Sequence, residues 1–311
     1  MSLRLRRSEL STPASSSKMI EKAAKSAADL VFLDLEDAVA PAQKVAARDN
    51  VVRALRELDW GNKIRAVRVN GAHTEWAHGD VVDIVECAGA QLDVIILPKV
   101  RAPRDVWFFE TLLDQLETKL HLKSRIALEA LIEETEALAR VEEIAGSSPR
   151  LEALILGFGD LSASQGMRLG LATGDQPYPG DIWHYARARM IVAARARGLD
   201  AIDGPFANFG DPEGYRREAT WAAMLGAVGK WAIHPSQIEI ANDAFSPSAP
   251  EIDQARRMSE AYWAAEKQGA GAAAAGGMLV DAASVRIFEG ILERARLAAR
   301  LSSTESGARL A

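Results

Sequence analysis

Ionisable and amide side chains recur where the short apolar runs of this 311-residue chain end. They are Asp34, Glu36 and Asp37 around LVFLDL, Arg68 and Asn70 in AVRVNG, Lys99 after VIILP, Glu129 in IALEALIEE, Asp160 after LILGFG, Asp203 in AID and His234 in WAIH. Singly, each suits a solvated loop or a helix N-cap. Together, at the same end of successive strands, they suit a catalytic face. Glu129 stands among apolar residues, where an ionised carboxylate is costly unless a cation faces it. Asp160 offers a second oxygen donor from the next strand. Two carboxylates with open positions suit Mg²⁺, which keeps waters and takes substrate oxygens. The histidines do not cluster, which argues against zinc. Arg68 is also flanked by apolar residues and needs an acidic partner, for which Glu36 is the natural choice.

These residues must be positioned by a repeating unit. Eight β-rich runs occur, at Glu9–Thr12, Leu30–Leu35, Ile64–Asn70, Val94–Pro98, Arg125–Leu131, Leu154–Phe158, Ala201–Asp203 and Lys230–His234. Segments of helical spacing separate them, including Pro41–Leu58, Arg104–Leu120, Glu133–Gly146, Ile182–Arg197 and Asp211–Gly226. Such alternation predicts an α/β fold of parallel βα units, here a (β/α)8 TIM barrel over residues 1–249, with an open doubly wound sheet as the alternative. In a barrel the carboxyl ends of the strands carry the site. Residues 250–311 read differently, as a C-terminal helical extension: a helix over Glu251–Gln268, a hinge GAGAAAAGG that adds no strand, and a second helix from Asp281 to about Arg300. The Gly/Ala stretch follows a helix rather than a strand, so it is not a dinucleotide loop.

Composition narrows the partners. With 37 Lys+Arg against 43 Asp+Glu the net charge is −6, which disfavours nucleic acid and polybasic membrane binding. No apolar run approaches the roughly 18 residues a membrane span needs. A single cysteine, Cys87, allows no intrachain disulfide and points to a reducing compartment. The Arg- and Ser-rich start has no apolar core for secretion; it loosely imitates a transit peptide, but the chain from Arg7 onward reads as fold, so the expected location is cytoplasmic.

The motifs LVFLDLEDAVAP, RVNG, LPKV, LEALIEE, GFGDLSAS, IDGPFANF and GKWAIHPSQI, in this order, resemble the CoA-ester lyase branch of the HpcH/HpaI aldolase and citrate lyase β-subunit superfamily, nearest its malyl-CoA lyases. The resemblance runs from about Arg7 to Glu293 and implies the same barrel. It implies a metal pair at Glu129 and Asp160, a carbonyl-polarising arginine at Arg68, and an acidic cluster of Asp34, Glu36 and Asp37 that holds this arginine and the metal's waters. It further implies a C-terminal lid that reaches a neighbouring subunit in a homotrimer or homohexamer and contributes Asp281 as base; a helix N-cap is the alternative role for Asp281. CoA contacts are implied at Arg7, Gly204 and Pro205, whereas Arg4 and Arg6 read as a solvated basic face. His234 reads as a structural histidine at the barrel mouth. The sequence departs from the family at Pro13-Ala14-Ser15, where Pro-Gly-Ser is usual, at Glu134, and in a shorter Gln165–Asp181 stretch.

The implied activity is a Mg²⁺-dependent reversible Claisen-type cleavage, with Mn²⁺ as substitute metal. A 3-hydroxyacyl-CoA thioester such as (S)-malyl-CoA, β-methylmalyl-CoA or citramalyl-CoA would give acetyl-CoA or propionyl-CoA and a 2-oxoacid such as glyoxylate. Three alternatives stay open: a malyl-CoA thioesterase, a citrate lyase β-subunit acting on a carrier thioester with partner subunits, and a catalytically silent barrel. The extended C-terminus favours a stand-alone CoA enzyme over the second, and the charged constellation argues against the third.

Overall fold

The structure, a computed structural model, describes residues 4–168 and 180–308. Eight strands, β1 (Ser8–Pro13), β2 (Leu30–Asp34), β3 (Ile64–Arg68), β4 (Val94–Leu97), β5 (Ala127–Ile132), β6 (Leu151–Leu156), β7 (Asp200–Asp203) and β8 (Gly229–Ala232), pair in chain order into a closed barrel. Every pair is parallel, and β1 closes the ring on β8 through Ser8↔Lys230 to Leu10↔Ala232. All eight expected runs therefore become strands, and the open-sheet alternative falls. The expected helices form too, except that Glu133–Gly146 is two short pieces, Thr135–Ala139 and Val141–Ala145.

Period-2 alternation assigns the faces of each strand. Phe32, Ala66, Ile96, Leu131, Ile155, Ile202 and Trp231 fill the barrel interior, while Val31, Val67, Ile95, Ala130 and Leu154 pack outward in a larger cluster with the helices. The alternation puts Asp203 and Lys230 outside. There Asp203 binds Lys230 Nζ at 2.6 Å and Arg187 Nε at 2.8 Å, so it belongs to the shell and not to the site. Cys87 lies on the helix Ala77–Ala88 and is exposed.

Arg6–Phe245 form one compact unit; the segment from Ser246, with the first residues, forms another. Within the second, the helix Ala249–Glu266 is capped by Ser248, and Met258 and Tyr262 pack with Val280 and Val285. The Gly/Ala stretch corrects the sequence reading. It is not a strandless hinge, because Ala272–Ala275 (β9) and Met278–Asp281 (β10) pair antiparallel. The turn residues Gly276 and Gly277 have φ of 56° and 78°, the left-handed pair that a two-residue hairpin turn demands. The helix Ala282–Ala308 follows. Residues 169–179, most of the stretch read as short, lie outside the described residues. No helix among the described residues is long and apolar enough to cross a membrane.

Candidate active site at the carboxyl end of the barrel

Asp34 ends β2, Arg68 ends β3, and the two are register partners with side chains directed inward. The guanidinium donates from Nε to Asp34 Oδ1 at 2.8 Å and from Nη2 to Oδ2 at 2.6 Å, a bidentate fork. Asp34 also accepts from the backbone N–H of Glu36 and Ala38, so its carboxylate is fully engaged. Glu36 Oε2 lies 3.1 Å from Arg68 Nη1 but is buried and makes no hydrogen bond. Burial opposes the charge on Arg68, yet Asp34 and Glu36 outweigh it and raise the arginine's pKa.

Lys99 draws the next strands into this cluster. Its backbone sits at φ 50°, a conformation uncommon outside glycine, so the side chain turns across the barrel mouth. Nζ lies 2.6 Å from Glu36 Oε1, 3.3 Å from Asp37 and 3.4 Å from Asp160 Oδ1. The Lys99 backbone N–H donates to Glu133 Oε1 at 2.7 Å. Glu133 follows β5 directly, and Asp160 lies in the first turn of the helix Phe158–Gln165 that follows β6. Gly157 joins the two: a Cβ there would stand 2.5 Å from Glu133 Cβ and 2.7 Å from its Oε2. Only a glycine lets the β6 end pass this carboxylate.

Five carboxylates, Asp34, Glu36, Asp37, Glu133 and Asp160, thus meet two cations, Arg68 and Lys99. Lys44 approaches as well, but its Nζ serves the carbonyls of Leu35 and Glu36. Burial and then the charge of Glu36 push Glu133 up to about 8. Burial likewise raises Glu36 despite Arg68 and Lys99, whereas in Asp37 the same two cations overcome burial and lower it. Burial and Glu36 keep Glu133 high against the pull of Lys99 and Arg68, and an oxygen-only pair of one buried Glu and one 39% exposed Asp suits a hard divalent ion. Among the described residues no group of three or more His, Cys, Asp or Glu is arranged to hold a metal. Water and substrate would complete the coordination of an ion on Glu133 and Asp160.

Several expected roles are corrected. Glu129 is not at the mouth. Its side chain is held by Arg6, which also binds Asp200, the first residue of β7, and not by the Arg68 and Lys99 cluster. Glu129 Oε1 accepts from Arg6 Nε at 2.9 Å. Arg6 is no solvated basic residue: it is 3% exposed and also binds Glu152 and Asp200. Arg7 precedes β1, at the end opposite the site, and is chelated by Asp29 at 2.8 Å through both Nε and Nη2, so it is not placed to meet CoA at the mouth. Asp34, and not Glu36, makes the hydrogen-bonded fork with Arg68. The need for glycine at Gly204 is internal, since a Cβ would fall 2.0 Å from the Leu156 carbonyl oxygen; Pro205 beside it is half-buried. Asn70 is bound to Asp80 through Nδ2 at 2.6 Å. His234 stacks on Phe209 at 4.9 Å and accepts from the Ser236 N–H, a structural arrangement at the end of β8. Asp281 caps the last helix: its Oδ1 accepts from the N–H of Ala283 and Ser284 and from the Ser284 hydroxyl.

One site residue escaped the sequence reading, Glu133; Lys99 enters there only as a strand-end residue. Glu133 shares the inward phase of Glu129 but lies four residues further on, past the strand end; ending the strand at Leu131 instead of Ile132 hid it.

Residues 7–235 match the HpcH/HpaI aldolase/citrate lyase family, and the chain belongs to it. It is 43% identical over 305 residues to the L-malyl-CoA/β-methylmalyl-CoA lyase of Rhodobacter capsulatus, covering 95% of this chain and 96% of that one. It is 38% identical to the (3S)-malyl-CoA thioesterase of Cereibacter sphaeroides, covering 88% and 89%. A crystal structure of the protein CitE from Mycobacterium tuberculosis in complex with magnesium, acetoacetate and coenzyme A superposes with TM-score 0.73 at 30% identity, covering 93% of this chain and 97% of that one.

Proposed function

We propose that the chain is a carbon–carbon lyase that reversibly cleaves a malyl-CoA-type 3-hydroxyacyl-CoA into an acyl-CoA and a 2-oxoacid. The observation that carries this reading is the guanidinium of Arg68, locked by Asp34 beside the carboxylates of Glu133 and Asp160. Such a site offers a fixed hydrogen-bond donor where negative charge develops on a carbonyl oxygen. Support comes from the 43% identical relative, named as a lyase of L-malyl-CoA and β-methylmalyl-CoA, and from the magnesium and coenzyme A in the CitE complex.

Glu133 and Asp160 would hold Mg²⁺, with Mn²⁺ as substitute, and an ion held there would supply Lewis-acid polarisation of a 2-oxoacid carbonyl. Arg68 donates N–H to the oxygen of that carbonyl, and Asp34 keeps the fork in one plane. Lys99 bridges Glu36, Asp37 and Asp160 through Nζ and Glu133 through its backbone N–H. In the synthetic direction Asp281 takes a proton from the acetyl-CoA methyl, the enolate carbon bonds to the glyoxylate carbonyl carbon, and the resulting alkoxide takes a proton from solvent. Cleavage runs these steps backwards. The cap bonds from Ala283, from the Ser284 N–H and from the Ser284 hydroxyl end on Asp281 Oδ1, leaving Oδ2 for the proton. In this reading Asp281 reaches the site from the C-terminal segment of a neighbouring subunit in a homotrimer or homohexamer, and the enzyme works in the cytoplasm.

The test is to incubate the purified protein with malyl-CoA in Mg²⁺ or EDTA and to separate the CoA species while trapping glyoxylate. Acetyl-CoA with glyoxylate, lost in EDTA, is the expected result. Free CoA with malate would make the protein a thioesterase, like its 38% identical relative.

A further inference from the structure

The barrel interior holds a polar element that the reaction above does not use. Glu9 on β1 and Trp231 on β8 are register partners, both directed inward. Glu9 is fully buried, and the Trp231 indole Nε1–H donates to its Oε2 at 2.9 Å. The indole lies against Phe32, with ring centroids 4.5 Å apart and planes at 38°. The Arg68 guanidinium lies over both rings, its Cζ 5.4 Å from the Trp231 centroid and 6.0 Å from that of Phe32.

We propose that Trp231, pinned at its indole N–H by Glu9, is a positioning residue that sets the height of the Arg68 guanidinium at the barrel mouth. Asp34 grips one edge of the guanidinium and fixes its rotation within its plane, but an edge contact alone leaves a long side chain free to tilt. The aromatic face beneath removes that freedom and adds cation–π attraction, strongest against tryptophan. An indole without a fixed N–H partner has a broad, roughly two-fold choice about χ2. Glu9 makes that choice.

The environment of Glu9 shows how a carboxyl can serve there. Glu9 Oε1 and Glu129 Oε2 are both buried without a hydrogen-bond partner. The groups acting on Glu9 are Glu129 from β5, Arg6 before β1, Trp231 from β8 and Asp200 from β7, with Glu152 of β6 bound to Arg6. Burial and the charge of Glu129 raise Glu9 well above the ordinary range, against the pull of Arg6 and Trp231. Glu9 accepts from the indole with Oε2, and Arg6 faces the same buried group from the start of β1 while binding Glu129.

The inference rests on the reading of Arg68 as the group that meets the oxoacid oxygen, so its test has one arm in turnover and one outside it. Four variants are compared with wild type: Trp231→Phe, Trp231→Leu, Glu9→Gln and Glu9→Leu. In malyl-CoA cleavage, kcat should fall about tenfold in Trp231→Phe and Glu9→Leu and about a hundredfold in Trp231→Leu, with KM for the thioester within about twofold. Glu9→Gln, whose neutral amide keeps both an acceptor and a donor, should rescue what Glu9→Leu loses. The second arm follows hydrogen exchange of the Arg68 Nε–H by NMR, assigned from its absence in Arg68→Lys. It should be slow in wild type and Glu9→Gln, and at least about tenfold faster in Trp231→Leu and Glu9→Leu. Unchanged exchange in folded Trp231→Leu or Glu9→Leu overturns the proposal, as does Glu9→Gln behaving like Glu9→Leu. Were wild type to cleave no thioester, the functional reading would fail while the exchange arm still decided the positioning role.

Discussion

Asp34 and Arg68 face each other across the β2–β3 ladder as register partners joined by two parallel hydrogen bonds of 2.8 and 2.6 Å. Asp34 is fully committed to this fork and to two backbone N–H groups, while Arg68 Nη1 lies outside the fork, so the carboxylate's function is the arginine's geometry. Asp34→Asn keeps the shape but removes the charge and one acceptor. Its kcat should drop about a hundredfold, and unfolding free energy should fall by about 3 kcal/mol, because one partner of a buried pair is left behind. Arg68→Lys should lose at least as much turnover, since an ammonium cannot reproduce the fork. Steady-state kinetics and urea unfolding check both.

Gly157 and Gly204 separate site from scaffold. An added Cβ at Gly157 meets the Glu133 side chain, whereas at Gly204 it meets the backbone carbonyl of Leu156. Gly157→Ala should displace Glu133, weakening Mn²⁺ binding about tenfold or more at a stability cost of about 1–3 kcal/mol. Gly204→Ala should chiefly destabilise the fold, because backbone cannot give way as a side chain can. Mn²⁺ titration by electron paramagnetic resonance, beside thermal unfolding, distinguishes them.

The cap role of Asp281 and its proposed role as base can be parted by one pair of variants. Asp281→Asn keeps the cap on the final helix and loses the base; Ser284→Ala removes three of the bonds around the cap and keeps the base. Turnover should collapse in the first with little change in unfolding. The second should lose at most about 1 kcal/mol of stability and keep most of its activity.

Burial, then Glu152 and Asp200, push Glu129 up to about 7 against the opposing charge of Arg6. The folded state therefore holds this proton more tightly than the unfolded chain does. The contribution to stability is complete below about pH 4.5 and is lost as pH rises through about 7. Urea midpoints between pH 5 and 8 should show a smaller fall in Glu129→Gln than in wild type, and equal falls would show that Glu129 does not hold the proton.

The barrel was legible because each strand is a short β-rich run bounded by turn residues, and such local signals do not depend on partners. Arg68 with its acidic neighbours and Asp160 were legible for a related reason: each ends a strand or opens the helix after it. Glu129 and Glu133 were not distinguishable in this way. They share an inward phase, and choosing between them requires knowing that β5 runs to Ile132 and that Glu129 is held by Arg6, which also binds Asp200. Arg6 was read as solvated because its partners lie 123 to 194 residues away, beyond any local pattern. The β9–β10 hairpin was missed because alanine is a poor strand former, and only the Gly276-Gly277 turn marked it.

The central claim is that Glu133, and not Glu129, joins Asp160 in the site beside Arg68. The most direct measurement compares Glu133→Gln with Glu129→Gln for Mn²⁺ affinity and for Mg²⁺-dependent cleavage of malyl-CoA. The account predicts that Glu133→Gln loses both, while Glu129→Gln binds Mn²⁺ as wild type does and retains turnover. Intact metal binding in Glu133→Gln, or its loss in a folded Glu129→Gln, would contradict it.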